Sequence, residues 1–297
     1  MKITALIVTF NRLEKLKQCW KETQNLPFDD ILIVNNASTD QTAVWLDSLE
    51  DKRLHTLSLK ENTGGAGGFK RGAEYIDKYI DTDWIFIYDD DAYPDQSILS
   101  EFNSLDLKHY IALQCRVIDR AGNECKMNQP FIKIPLTLLD NIDYILNSGK
   151  YTINPLLTSE CVTLSFVGTI IRKDIFCKQK EDIHSELFIY YDDVFFSHHL
   201  KLAGYDFLYV PQLLFRHDIS IVNRSISPAW KVYYLVRNLI ISRKIFKHQS
   251  PYSLISIFLR IAKIFMVTPY QEDKKTYLQY IYKAIVDGVS GKTGKRH

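Results

Sequence analysis

The sequence predicts an α/β protein with a mixed, mainly parallel β-sheet flanked by helices and with a helical C-terminal extension. Three observations support this prediction. Apolar, β-rich runs alternate with amphipathic helical segments over the first 95 residues, which is typical of parallel sheets with helical crossovers. Polar clusters follow the ends of those runs, at the edge where such sheets bind ligands. From Ala229 onward the periodicity is helical throughout.

The N-terminal part is predicted to contain four strands separated by helices. Continuous apolar runs indicate strands buried on both faces, and these segments are KITALIVTF, DDILIVNNAS, LHTLSL and DWIFIYDDD. In the first helix, Leu13, Leu16, Cys19 and Trp20 share one face. The second helix, in STDQTAVWLDSLE, begins with residue types that cap helices. The third helix is predicted over Phe69–Tyr79, after a glycine-rich loop.

The pattern is weaker past Asp95. The segments YIALQCRVID and CVTLSFVGTIIRKDIF indicate strands. The segment YYDDVFFSHHLKLAGYDFLYV indicates a short helix that stops at Gly204 and is followed by a strand. Residues 126–157 are predicted to form a long irregular insertion.

The composition excludes several protein classes. With 297 residues, 46% of them hydrophobic and 24% charged, the chain has the composition of a folded soluble protein. Its five cysteines form no C-x-x-C pair, which argues against a disulfide framework or a zinc site and fits a reducing compartment. The N-terminus lacks the features of a signal peptide, and no apolar run reaches the roughly 18–20 residues of a spanning helix.

The glycine-rich stretch NTGGAGGFKRG, at 62–72, contains five glycines. Glycines allow backbone amides to approach a phosphate, and the helix N-terminus that follows adds positive potential. The spacing matches neither a Walker loop nor G-x-G-x-x-G. Close packing of the chain is the alternative explanation for these glycines.

Carboxylates end two of the apolar runs. Alternation along a strand would place Asp89 and Asp91 on one side and Asp90 on the other, which suits a hard divalent cation; a solvated acidic turn is the alternative. Asp192 and Asp193 follow four aromatic or apolar residues. They are predicted to cap a helix, and a carboxylate in such an apolar setting can serve as a general base.

Taken together, these segments resemble the family 2 inverting glycosyltransferases of the GT-A fold. The resemblance covers roughly residues 3–240, and its motifs, in order, are IVTFNR, VNNASTD, NTGGAGGFKRG, YDDDAYPD, YYDDVFFSHHLKLAGY and VYYLVRNLI. The N-x-GGAGGF and DDDA forms resemble the galactofuranosyltransferase and rhamnosyltransferase branch. The implied domains are a catalytic domain at 1–227, divided near position 95 into donor-binding and acceptor parts, and a C-terminal helical region at 228–297.

The resemblance also implies roles for particular residues. Asp89, Asp91 and His217 match a site for Mn²⁺ or Mg²⁺ on the donor diphosphate. Asp193 matches the base that deprotonates the acceptor hydroxyl, and Asp192 would orient it or bind an acceptor hydroxyl. The donor-binding residues implied are Thr9, Phe10, Asn11, Arg12, Asn36, Asn62, Gly64, Gly65, Lys70 and Asp90.

Two positions depart from the family pattern. Asn36 stands where most members have aspartate. Phe69 stands where many have an arginine, so Lys70 or Arg71 would have to supply that charge.

The predicted function is metal-dependent, inverting transfer of a hexose from a nucleotide-sugar to a growing, lipid-linked surface glycan such as capsule or O-antigen. UDP-galactofuranose is the favoured donor and dTDP-rhamnose the alternative. A nucleotidyltransferase would need a basic signature loop after the first strand, which VTFNRLEKL lacks. A non-catalytic glycan-binding module is disfavoured because Asp89, Asp91, Asp193 and His217 are all present.

The charge distribution points to an anionic surface partner. Residues 228–297 contain 13 Lys and Arg against 3 Asp and Glu, or +10, so the first 227 residues carry −8 of the net +2. The segment SPYSLISIFLRIAKIFMV indicates a basic apolar helix that binds a membrane surface, packs on the catalytic domain or forms a homo-oligomer. Nucleic acid is disfavoured because no recognition motif accompanies the charge. The predicted location is cytoplasmic, peripheral at the inner face of the cell membrane.

Overall fold

A computed structural model describes residues 1–107, 109–219 and 225–297. Within these ranges the strands form a single nine-stranded sheet. The strands are β1 Ile3–Thr9, β2 Asp30–Asn35, β3 Leu54–Ser58, β4 Trp84–Asp89, β5 Ala92–Pro94, β6 Ala112–Ile118, β7 Ser159–Cys161, β8 Thr169–Arg172 and β9 Phe207–His217. The α-helices are α1 Leu13–Thr23, α2 Thr42–Asp47, α3 Gly64–Tyr79, α4 Ile98–Asn103, α5 Leu138–Leu146, α6 Lys173–Lys178, α7 Asp192–Leu202, α8 Lys231–Phe246, α9 Leu254–Met266 and α10 Lys274–Ser290.

The sheet is mixed and mainly parallel on its N-terminal side, as predicted. Its strand order is β3-β2-β1-β4-β8-β6-β9-β5, with β7 also paired to β9. Strands β1 to β4 are mutually parallel, and β8 runs antiparallel to both of its neighbours. The register pairs Thr9 with Asn35 and Val8 with Asp89. The polar clusters after β1, β2 and β4 therefore meet at one edge of the sheet.

Two hydrophobic cores lie on the two faces of the sheet. Alternate residues of β1 show the division, because Ala5 and Ile7 pack with α1 whereas Leu6 and Val8 pack with α3. Burial on both faces explains why these strands are continuously apolar in sequence.

Strand β9 carries an irregularity that shapes the site. Its parallel pairing with β6 shifts register between Cys115 and Arg116, which pair with Val210 and Leu214. The extra residues on β9 include Pro211, which has no N–H to donate to the ladder. The strand then resumes pairing and ends at His217, opposite Ala92 of β5.

Four local predictions were wrong. The glycine-rich stretch is not a loop, because α3 begins at Gly64 rather than at Phe69. The insertion at 126–157 contains helix α5, which starts at a capping box formed by Thr137 and Asp140. The segment read as one strand after residue 160 divides into the short strands β7 and β8 followed by α6. Asp192 and Asp193 are the first helical residues of α7, and the N-cap position is Tyr191.

The glycines of α3 allow close packing. A β-carbon on Gly64 would lie 1.9 Å from the Phe188 carbonyl oxygen, and one on Gly68 would lie 2.5 Å from Val8 Cγ1. A β-carbon on Gly72 would similarly meet Leu6 at 2.5 Å. The packing explanation for the glycine-rich stretch is therefore correct at these three positions.

The C-terminal helices pack on the chain that precedes them. One core cluster joins Phe188 to Tyr233 and Tyr234 of α8 and to Tyr277 of α10. A second joins Phe195 of α7 to residues of α8 and α9. Among the described residues, no helix combines the length and hydropathy required to cross a bilayer.

We expect Gly68→Ala to lower the free energy of unfolding by about 1–3 kcal/mol, because the added methyl group overpacks α3 against β1. Gly65→Ala is the matched control, because a β-carbon there has no atom within 4 Å; it should be neutral or stabilising by up to about 1 kcal/mol through helix propensity. Urea unfolding of the two variants measures the difference. Equal destabilisation by both would contradict the packing role of Gly68.

Candidate active site

The acidic turn lies between β4 and β5. Strand β4 ends at Asp89, so the alternation of a strand does not extend through the next two aspartates. Arg12 Nη1 lies 3.3 Å from Asp90 Oδ1 and 2.7 Å from Asp91 Oδ2, and Thr9 Oγ1 donates to Asp90 Oδ2 at 2.7 Å. The prediction that Asp90 faces away from Asp91 was wrong, because one guanidinium group contacts both carboxylates.

His217 completes this cluster from β9. Its Nε2 lies 3.2 Å from Asp91 Oδ1, and its Nδ1 lies 3.1 Å from the amide oxygen of Asn128. Because an amide oxygen can only accept, Nδ1 is the donor to Asn128, and Nε2 is the ring nitrogen that faces Asp91. A histidine whose second nitrogen is held in this way is typical of metal ligands.

The three aspartates ionise differently. Burial, reinforced by the neighbouring carboxylates, raises the pKa of Asp89 well above its usual range. Burial likewise raises the pKa of Asp90 to about 6, against the opposing effect of Arg12. Burial also opposes ionisation of Asp91, but the hydrogen bond to His217 and the charges of His217 and Arg12 outweigh it and lower the pKa.

The residues fit a divalent cation in their chemistry. Asp89, Asp91 and His217 offer carboxylate oxygens and an imidazole nitrogen, which are ligands that Mn²⁺ accepts. Across the described ranges, however, no group of three or more His, Cys, Asp or Glu side chains is already arranged as a ligand set. A cation bound here would replace Arg12 on Asp91, so the predicted ligands stay a prediction.

A cleft of about 560 Å³ opens beside the acidic turn, and it is lined by Asn11, Arg12, Lys15 and Asp91 among others. Lys231, the first residue of α8, has its pKa lowered by burial and by Arg12, with Asp91 acting in the opposite direction. Its charge therefore interacts with the charges of both residues. Sequence reasoning missed Lys231 because it is some 140 residues away from the aspartates along the chain.

The predicted nucleoside-pocket residues lie along the same edge, and two of their side chains hydrogen-bond to neighbouring turns. Asn11, with a positive φ of 52°, accepts a hydrogen bond from the Thr39 amide at 2.7 Å. Asn36 is buried; its Oδ1 accepts from the Thr63 amide at 3.0 Å, and its Nδ2 donates to the Gly64 carbonyl at 2.8 Å. Phe10 is 37% exposed. These contacts fix the shape of the edge, and the binding roles stay predictions.

The start of α3 has few free amides. The Gly64 amide donates to Asn62 Oδ1 at 2.9 Å, and the Ala66 amide donates to the Phe188 carbonyl at 3.3 Å. The predicted phosphate cradle is therefore not supported at these two amides. Gly65 faces open space.

The basic residues after the glycines are paired elsewhere. Lys70 Nζ lies 2.6 Å from Glu181 Oε2, and Arg71 Nη1 lies 2.5 Å from Glu74 Oε2. Neither ion pair includes a residue of the acidic turn. Phe69 is buried and packs against Phe166.

The catalytic carboxylates predicted from the sequence follow a strained segment. Phe188, Tyr190 and Tyr191 all have positive φ, of 71°, 67° and 66°. Such conformations cost non-glycine residues about 1–3 kcal/mol each and persist only where the surroundings impose them. The segment delivers Asp192 and Asp193 to the first turn of α7.

Two buried residues of α8 hold this segment in place. Asn238 Nδ2 lies 3.2, 2.8 and 3.0 Å from the carbonyl oxygens of Leu187, Ile189 and Tyr190. Arg237 Nη2 donates to the Leu187 carbonyl at 2.8 Å, and its Nε donates to Asn238 Oδ1 at 2.9 Å. The sequence carried a signal for this role, because VYYLVRNLI places two polar residues inside an otherwise apolar run.

A series of polar side chains leads from the acidic turn towards Asp193. From His217 it passes to Asn128, whose Nδ2 donates to Ser165 Oγ at 2.9 Å. The Ser165 side chain in turn lowers the pKa of Asp193. Sequence reasoning missed Asn128 and Ser165, because neither belongs to a motif and only the fold brings them together.

Asp192 and Asp193 are neighbouring carboxylates, and the charge of Asp193 acts on Asp192. Burial, followed by the charge of Asp193, raises the pKa of Asp192 to about 8. Burial also raises the pKa of Asp193, to about 6, and hydrogen bonds from the Val194 and Phe166 amides and from Ser165 limit that rise. A carboxylate that titrates near neutral pH has the proton affinity of an effective general base.

Comparison with known proteins identifies the family. The family model described as "Glycosyl transferase family 2" matches residues 4–178, which are more than half of the chain. The protein therefore belongs to glycosyl transferase family 2. A curated relative, undecaprenyl-phosphate mannosyltransferase of Micrococcus luteus, is 35% identical over 81 residues, which cover 25% of this chain and 33% of that protein. This chain thus matches only about a third of that relative.

Solved structures share the fold. The S. aureus TarS 1-349 structure matches with a TM-score of 0.59 at 15% sequence identity. The match covers 98% of this chain and 81% of the TarS chain. The mannosyltransferase PcManGT of Pyrobaculum calidifontis, in complex with GDP-Man and Mn²⁺, has a TM-score of 0.55 at 14% identity, covering 98% and 88%. The GT-A fold is confirmed, and these matches leave the galactofuranosyl and rhamnosyl branch a prediction.

We expect Asn238→Ala to lower the free energy of unfolding by about 2–4 kcal/mol, because buried carbonyls of the strained segment lose their donor. Asn25→Ala is the matched control. Its amide donates to a single carbonyl, that of Lys21, at an exposed helix end, and it should change stability by less than about 0.5 kcal/mol. Chemical denaturation measures both variants. A near-neutral Asn238→Ala variant would show that the segment does not depend on this side chain.

The raised pKa of Asp192 predicts a pH-dependent stability. The native state holds a proton that the unfolded chain, with an ordinary pKa near 4, has released. Stability from this group is therefore lost as pH rises towards the folded value of about 8. Asp192→Asn should gain stability relative to the wild type, by more than about 1 kcal/mol, between roughly pH 5 and pH 8. Thermal unfolding across this range measures the gain, and a pH-independent difference would contradict the assignment.

Proposed function

We propose that this protein transfers a hexose, with inversion, from a nucleotide-sugar to a hydroxyl of a lipid-linked surface glycan. The observation that carries the proposal is the series of polar side chains that leads from Asp91 and His217, through Asn128 and Ser165, towards Asp193. It joins a site suited to a diphosphate-bound cation with a carboxylate suited to accepting a proton. An inverting sugar transfer requires these two elements.

In the proposed mechanism Asp193 accepts the proton of the acceptor hydroxyl as that oxygen attacks the anomeric carbon. The bond from that carbon to the diphosphate oxygen breaks in the same step, so no covalent enzyme intermediate forms. Asp192, protonated at neutral pH, donates a hydrogen bond to the acceptor or to its neighbour. Arg12 and Lys231 bring positive charge to the departing nucleoside diphosphate.

The proposed metal ligands are Asp89, Asp91 and His217. A bound Mn²⁺ or Mg²⁺ would supply Lewis-acid neutralisation of the diphosphate. Arg12, released from Asp91, would then be free to bind a phosphate oxygen.

Two separate observations favour different donor sugars. The N-x-GGAGGF and DDDA motifs, together with His217, favour UDP-galactofuranose, with dTDP-rhamnose as the close alternative. GDP-mannose is the second candidate. It is favoured by the Micrococcus luteus relative, whose name describes mannosyl transfer, and by the PcManGT complex with GDP-Man.

The same relative supports a lipid-linked acceptor, because its name specifies undecaprenyl phosphate. An acceptor of that kind resides in the cell membrane. We therefore place the enzyme at the inner face of that membrane, as a peripheral protein.

Asp193→Asn should reduce transfer by at least about a thousandfold while leaving nucleotide affinity within about threefold, because the base acts only in the chemical step. Asp91→Ala should instead abolish the metal-dependent part of nucleotide binding. Asp47→Asn, an exposed change on α2, is the control and should alter neither property. A loss of nucleotide affinity in Asp193→Asn as large as in Asp91→Ala would contradict the role of Asp193.

Calorimetric titration with UDP, dTDP and GDP, each with and without Mn²⁺, tests the donor proposal. Metal-dependent binding of UDP alone supports galactofuranose, a preference for dTDP supports rhamnose, and a preference for GDP supports mannose. Binding that is the same without Mn²⁺ would refute the ligand roles of Asp89, Asp91 and His217.

A further inference from the structure

Helix α5 exposes its apolar side. Leu139 and Ile145 are each 76% exposed and Leu146 is 74% exposed, whereas the polar Asn141 is buried. A helix on the surface of a globular protein normally shows the reverse arrangement. The sequence predicted no helix here, so this apolar face is a finding of the structure.

Helix α9 packs Ile257 inward but exposes apolar residues on its other side. Phe258 is 68% and Met266 is 69% exposed, whereas Ser256 is buried. The two helices are joined through their polar residues. Asn141 Nδ2 donates to Ser256 Oγ at 2.8 Å, and Ser256 Oγ lies 2.8 Å from the Pro135 carbonyl.

Together the helices form one exposed apolar area, which we name the α5–α9 surface. Its residues are Leu138, Leu139, Ile142, Ile145, Leu146, Leu254, Ile255, Phe258, Phe265 and Met266. Apolar areas of this extent on a soluble chain mark contacts with a partner or a membrane.

The charges of the α5–α9 surface favour an anionic occupant. Helix α9 contains Lys263, which is exposed, and Arg260, but no acidic residue. The two acidic residues of α5 are neutralised, because Asp140 pairs with Lys133 at 2.9 Å and Asp143 pairs with Lys150 at 3.1 Å. A two-fold dimer through this area would add a second α9 that also lacks acidic residues, so that helix would offer Lys263 no opposite charge.

We propose that the α5–α9 surface binds the anionic phospholipid surface of a membrane, with the apolar side chains inserted at the acyl boundary and Lys263 at the headgroups. The position of this surface suits the reaction. Arg260 of α9 stacks on Tyr252, with 4.9 Å from the guanidinium to the ring centroid, and Tyr252 packs against Tyr191 at 5.8 Å. Tyr191 precedes Asp192, so membrane binding would bring a lipid-linked acceptor towards the carboxylates. Only this last step rests on the proposed function.

The test uses flotation of the full chain with vesicles of equal parts phosphatidylcholine and phosphatidylglycerol. The variants are Leu139→Ser/Ile145→Ser on α5 and Phe258→Ser/Met266→Ser on α9. Tyr282→Ser/Val289→Ser on α10 is the matched control, because those residues are 73% and 65% exposed in the same basic region. Each α5 or α9 pair should lower partitioning by about tenfold or more, and the control should stay within about twofold of the wild type.

Additional conditions distinguish membrane binding from dimerisation. Vesicles of phosphatidylcholine alone, or high salt, should weaken binding, because the headgroup attraction is electrostatic. The proposal is overturned if the wild type does not float with the anionic vesicles, or if the α10 pair loses as much binding as the others. It is also overturned if the wild type is a dimer without lipid and the α5 and α9 variants are monomers, which would identify a second copy as the occupant.

Calorimetric nucleotide binding by the same variants keeps the two proposals distinct. If the protein binds nucleotide but not vesicles, only the membrane proposal is refuted. Vesicle binding that succeeds without sugar transfer removes only the proposed function.

Discussion

The contact on which the site most depends is that between two side chains of α8 and the backbone before α7. Arg237 and Asn238 are fully buried, and their donors point at successive carbonyl oxygens of the segment from Glu186 to Tyr190. That segment contains strained residues and would relax without these bonds. Arg237 is an expensive residue to bury, and burial lowers its pKa. Stacking on the rings of Tyr233 and Tyr234 offsets part of that cost.

This constraint explains features that are far apart in the chain. The strained segment lies directly on the start of α3, where the carbonyl of Phe188 occupies the space that a side chain at Gly64 would need. The backbone of the glycine-rich stretch is thus packed directly against the backbone that leads to Asp192 and Asp193. The C-terminal helices belong to the same arrangement, because the aromatic residues of α8 and α10 form the core beneath Phe188.

The charged side chains of the site lie close together because the strands that carry them end at the same edge of the sheet. Parallel strands bring the ends of β1 and β4 together, so Arg12 reaches the acidic turn, and the bulge near Pro211 lets β9 continue to His217. Burial raises the pKa of Asp193, whereas contacts with His217 and Arg12 lower the pKa of Asp91 despite its burial. Environments that push pKa values apart assign different chemical roles to identical side chains.

The amino-acid sequence alone predicted the α/β class, the first four strands, the helical C-terminal region and the polar edge that includes Asp91. These features depend on local periodicity and on strand ends, which a single segment reveals. The folded chain was needed to show that α3 begins at Gly64, that α5 exists with its apolar side outward, and that Arg12 contacts two aspartates. It was also needed to show that Asn238 bonds to the carbonyl groups of the segment before Asp192. The physical reason is that these features depend on contacts between residues distant in the chain, which no local pattern of residue types encodes.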